Sequence, residues 1–72
     1  MKSDKIYHVI SHPRGWAVVR GRSHRASKLF EDKKDAVAWG EQASRDQGFL
    51  FVIHRTDGTV ERMDSYGREP HI

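Results

Sequence analysis

The chain has 72 residues, 36% of them hydrophobic, with a formal net charge of +3 and no cysteine. That composition describes one domain, too apolar for a disordered chain and too polar for a membrane protein. Disulfide staples and thiolate metal sites are excluded outright.

Lys5 to Ser11 alternates apolar and polar residues and is rich in β-formers, which predicts a first strand. His12-Pro13-Arg14-Gly15 is a turn, and Trp16 to Arg20 returns as a second strand, so the two make a hairpin. Gly21 to Arg25 is a polar, basic loop. Ala26 to Phe30 is either a third strand or an extended approach to the helix that follows. Asp32 reads as a helix N-cap, with Asp35 three residues on as in a capping box. The helix runs from about Lys33 to Gln47 and ends at Gly48. Ala36, Gly40, Ala43 and Gln47 share one narrow stripe of it, flanked by Val37 and Ser44 on one side and Trp39 on the other. A stripe of small residues lets a helix approach a sheet closely, which offsets the propensity cost of Gly40.

Phe49 to Ile53 is an unbroken apolar run, too short for a helix, and reads as a strand. Asp57-Gly58 turns it into a hairpin with Thr59 to Met63. The order β-β-(β)-α-β-β implies an α+β fold: an antiparallel-rich sheet of four or five strands with one helix packed on one face. A single domain covers residues 1–72, with an ordered core over about 5–67 and a loose tail at 68–72. A strand in a sheet covered on one face should alternate. The run FLFVI does not, and one helix of this length covers one face only. The expectation is a homodimer that buries the open sheet face, with Phe49, Phe51 and Ile53 in the contact.

The Tyr7-His8-Val9-Ile10, Gly15-Trp16-Ala17-Val18, Val52-Ile53-His54 with Asp57-Gly58, and Ser65-Tyr66-Gly67 elements, taken together, resemble a family of small uncharacterised bacterial proteins, domain-of-unknown-function family 2188. The resemblance runs from Tyr7 to Gly67 and supports the same element order. It implies no activity, cofactor or site residue.

The functional reading therefore rests on the residues. Five histidines are present. His8 and His54 fall on strands that could be neighbours, and two histidines with a carboxylate could bind a metal. No HxH or HExxH spacing occurs, so no metal site is assigned and no cofactor is expected. No serine sits in a nucleophile elbow, and neither phosphate-loop nor dinucleotide fingerprints occur, so the protein is read as not an enzyme. Charge is uneven: six bases and no acid lie between Lys5 and Lys28, whereas acids outnumber bases from Phe30 onward. The leading expectation is nucleic-acid binding through the first hairpin and the loop after it, carried by Arg14, Arg20, Arg22, Arg25 and Lys28. The alternative is a protein-interaction or self-assembling regulatory module. Neither a signal-like apolar stretch near the N-terminus nor a run of roughly 20 apolar residues is found, which points to a cytoplasmic protein with no membrane partner.

Overall fold

A computed structural model of the chain describes residues 5–21 and 25–67. Alternation in the first two segments produces β1 (Ile6–His12) and β2 (Gly15–Arg20), paired antiparallel across the Pro13-Arg14 turn. β3 (Ala26–Phe30) is a true strand that pairs antiparallel with β2. The helix α1 spans Lys33–Gln47, and β4 (Leu50–His54) and β5 (Val60–Ser65) form the second hairpin. The five strands make one mixed sheet in the order β3-β2-β1-β4-β5, with β1 and β4 parallel at its centre and the other pairs antiparallel. The α+β architecture is the one expected. β4 begins and ends one residue later than its apolar run, and β5 reaches Ser65. The expected loose tail, 68–72, lies outside the described residues.

Both helix ends follow backbone geometry more than side-chain chemistry. Asp32 holds an extended conformation (φ −109°, ψ 141°), and its carbonyl accepts from the amides of Asp35 and Ala36, each at 3.2 Å. Its carboxylate makes no cap hydrogen bond, so the expected capping box does not form. At the other end Gly48 takes a left-handed φ of 70°, and its amide donates to the Ser44 carbonyl. A residue with a Cβ is strained in that conformation.

The core lies between α1 and one face of the sheet. Register sets which side chains share that face: Tyr7 lies beside Arg20 and Phe51, and Val9 beside Val18 and Ile53. Val9, Val18 and Phe51 are fully buried there, with Tyr7, Phe49 and Ile53 nearly so. The helix meets them with Ala36, Gly40 and Ser44, the small residues that permit a close approach. A Cβ added at Gly40 would stand 2.7 Å from Phe51 Cε1 and 3.5 Å from Val9 Cγ2. Trp39 closes the rim, edge-on to Tyr7 at 6.1 Å and 6.2 Å from the Phe30 ring. Gln47 Nε2 donates to the Tyr7 hydroxyl at 3.0 Å.

This arrangement corrects one expectation. Phe49, Phe51 and Ile53 do not face outward toward a partner; all three are buried in the core that α1 covers. An apolar run carries no parity signal of its own. The pairing of Phe51 with Tyr7 and of Ile53 with Val9 decides it.

α1 packs on β1, β2, β3 and β4. β5 is joined to it instead by polar side chains. Glu41 Oε2 accepts from Arg62 at 3.4 Å, from Arg45 at 3.2 Å and from the Tyr66 hydroxyl at 3.1 Å, and Lys33 pairs with Glu61. Single exposed ion pairs contribute little, but here three donors converge on one carboxylate. Among the described residues no helix is long and apolar enough to cross a membrane.

Candidate functional site

Among the described residues no layer covers the sheet face away from α1. Side chains alternate across the pleat, so the strand partners of the core residues' neighbours share the open side. Ile6, Ile10, Val19, Leu29, Leu50 and Met63 lie there, with Ala17 and Val52 between them. Among the described residues, the large hydrophobic side chains that stand exposed, Leu29 (43%), Val60 (47%) and Met63 (57%), all fall on this face. None of the strand residues that the register places there is an acid, a lysine or an arginine. The charged residues of β5 point the other way: Arg62 and Asp64 lie on the helix side, opposite Ile53 and Phe51.

Three histidines share this face, His12 at the end of β1 and, near its middle, the neighbouring pair His8 and His54. The parallel pairing of β1 with β4 sets His8 beside Val52, which leaves His54 one step along the diagonal on the same face. Their rings are 5.1 Å apart, and His8 Nδ1 lies 3.0 Å from His54 Nε2. The other ring nitrogen of His54, Nδ1, is 3.4 Å from the Gly58 carbonyl oxygen. A carbonyl only accepts, so that contact favours the tautomer with the proton on Nδ1 and a bare lone pair on Nε2. Burial, and secondarily the neighbouring His54, hold the His8 imidazole below its usual range. The neutral form of the His8 ring is therefore favoured, and its Nδ1 faces His54 Nε2.

The basic residues do not converge on one spot. Arg14 is in the β1-β2 turn, where its amide donates to His12 Nδ1 at 3.0 Å. Arg20 is at the opposite end of β2, with its guanidinium 4.9 Å from the centre of the Phe49 ring. Arg25 stands at the entry to β3, and Lys28 within β3 reaches over Phe30 at 5.9 Å. Arg22 lies outside the described residues. Arg20, Arg25 and Lys28 thus share the β2-β3 end of the molecule, while Arg14 lies away from them. Tyr7 is buried, and Trp16 packs against the core with the Lys33 ammonium 5.3 Å over its ring. Neither presents a free aromatic face of the kind a base stacks on.

The open-face residues Leu29, Leu50 and Met63 were not singled out by the sequence pattern. A usable signal was present nonetheless. A helix stripe of Ala36 and Gly40 requires bulky partners beneath it, which assigns Phe51 inward and hence Leu50 and Val52 outward.

A protein-family model described as "Uncharacterized protein conserved in bacteria (DUF2188)" matches residues 7–66. A Bacillus subtilis (strain 168) protein, described as "Uncharacterized protein YdaT", is 34% identical over 59 residues. That alignment covers 82% of this chain and 39% of the relative, so the chain spans well under half of that protein's length. No solved structure gives a significant match.

Proposed function

We propose that this chain, which belongs to the DUF2188 family of proteins conserved in bacteria, is a non-enzymatic binding module that pairs with a second copy of itself through its open sheet face. The observation that carries this reading is the apolar side that α1 leaves bare, which runs from Leu29 on one edge strand through Val19, Ile6, Ile10 and Leu50 to Val60 and Met63 on the other, with Leu29, Val60 and Met63 each more than two-fifths exposed. Contiguous apolar surface of this kind marks interaction sites on small proteins. The occupant is a second copy because the face is uncharged: it repels nothing of its own kind and offers a charged partner no ion pair. Five strands about 4.8 Å apart and roughly 20 Å long give a patch on the order of 500 Å² per copy. Two such patches bury roughly 1,000 Å² in total, the lower end for specific interfaces, so the pairing is reversible rather than obligate. Two sheets stacked about 10 Å apart make a sandwich with a helix on each outer side.

Sedimentation velocity across a micromolar to millimolar series tests it. The expected result is a concentration-dependent dimer, converted to monomer by Leu29→Glu or Met63→Glu with unchanged circular dichroism. A monomer throughout the series, or dimers that ignore both substitutions, would overturn the reading.

A second reading, nucleic-acid binding, is favoured by the placement of Arg20, Arg25 and Lys28 around the β2-β3 end of the sheet. Phosphate contacts made there would weaken with salt, by roughly 0.9 in log affinity per log salt for each phosphate neutralised on duplex DNA. Fluorescence anisotropy with labelled single-stranded and duplex oligonucleotides at two salt concentrations measures this. Salt-dependent binding lost in the triple variant Arg20→Glu, Arg25→Glu, Lys28→Glu supports it, and no binding at low salt removes it.

A further inference from the structure

We infer that His8 and His54 form a two-ligand chelate for a divalent transition-metal ion of the zinc, nickel or copper class, on the open face of the sheet. Two nitrogens bound to a tetrahedral ion at 2.0–2.1 Å stand about 3.3–3.4 Å from each other. His8 Nδ1 and His54 Nε2 already stand 3.0 Å apart. An ion enters when the nitrogens separate by about 0.3–0.4 Å and each ring swings about 35° to aim its lone pair. The terminal torsion of histidine is broad enough for that movement. Both side chains are half-buried on a side no helix covers, so the rings have space to turn outward.

The proton arrangement fits as well. The contact of His54 Nδ1 with the Gly58 carbonyl leaves Nε2 bare. A metal-bound imidazole is commonly oriented in this way by a carbonyl on its other nitrogen. Without metal, His8 Nδ1 must then carry the proton that bridges the pair. On chelation that proton moves to Nε2 of the same ring, so binding needs a change of tautomer at His8.

Among the described residues no cluster of three or more histidines, cysteines or carboxylates exists that could hold an ion. The described residues thus supply two nitrogens, and water can take remaining positions on the ion. Imidazole nitrogen selects borderline ions and disfavours magnesium and calcium, which want oxygen. The inference stands on the geometry within one chain and does not depend on self-pairing.

Isothermal titration of the full chain with zinc chloride after chelator treatment tests it, with magnesium chloride as the comparison. The expected result is a zinc site lost by more than about tenfold in affinity in His8→Gln and in His54→Gln, since even an outer-shell partner is worth 10–100-fold. His12→Gln should leave it unchanged. Nitrogen-15 spectra of the histidine rings should show His8 changing tautomer on zinc addition, a signal no distant site produces. Repeating the titration on the Leu29→Glu variant separates the site from dimer formation, because Leu29 sits on the edge strand, away from both rings. Absence of zinc binding, or binding that survives both histidine substitutions, would overturn the inference.

Discussion

Phe51→Ala should lower the free energy of unfolding by about 3–5 kcal/mol, the cost of emptying a buried aromatic site. Phe51 is fully buried, it lies under Gly40, and it shares its face with Tyr7 and Val9. A domain of 72 residues holds roughly 4–11 kcal/mol in all, at 0.05–0.15 kcal/mol per residue. The substitution therefore removes a large part of the total, and a fraction of the variant should be unfolded at 37 °C. Urea denaturation followed by circular dichroism measures the loss. Leu50→Ala is the matched control, because Leu50 lies next in chain but on the open face and is only partly buried. It should cost the monomer less, about 1–2 kcal/mol, since its side chain is only partly buried and its loss leaves no sealed cavity in the core. Equal losses for the two variants would contradict the assignment of faces in β4.

Gly40→Val should be nearly as damaging, at about 3 kcal/mol, and Gly40→Ala should cost about 1 kcal/mol net. On an exposed helix surface the alanine change is favourable by about 1 kcal/mol. Here the new Cβ would stand 2.7 Å from a ring carbon of Phe51. Overpacking of that kind costs roughly 1–3 kcal/mol, which exceeds the helix gain. Valine adds two methyl groups to the same gap and restricts its own rotamer. The diagnostic measurement is a double-mutant cycle. Phe51→Leu should destabilise the parent chain yet be partly absorbed in the Gly40→Ala background, because the two residues occupy one space. Strict additivity would mean that α1 and β4 do not meet at these positions.

The helix was fully legible in the sequence, from Lys33 to Gln47, because its stop signal is local: Gly48 needs the left-handed conformation and nothing else in that stretch does. Its start was legible in position but not in mechanism, since Asp32 caps through its backbone and leaves its carboxylate out of the cap. Ala26 to Phe30 was legible as an extended segment. Only pairing with β2 makes it a strand, and pairing is a long-range fact. The parity of Phe49 to Ile53 was misread because every position in that run is apolar. Nor could the nearness of His8 and His54 be read along the chain. It follows from β4 lying beside β1 rather than beside β3, and strand order is set by how the whole sheet closes over α1. The basic residues illustrate the converse. They are dense in sequence between Arg14 and Lys28, yet the length of β2 separates Arg14, in the turn before it, from Arg20 at its far end.

The placement of β4 also governs how this domain can be made. Protein synthesis delivers β1, β2, β3 and α1 first, and the partner of β1 only after Gly48 has been added. Until then a nascent chain carries an unpaired row of amides and carbonyls along what will become the middle of the sheet, with Tyr7 and Val9 missing Phe51 and Ile53. An open edge of that sort templates pairing with any extended segment nearby. On a crowded polysome the first such segment could be the β4 of a neighbouring copy, and an exchanged dimer would then preserve every strand pairing seen here while tying two chains together. The β4-β5 hairpin is thus the element that commits the sheet to closing on itself.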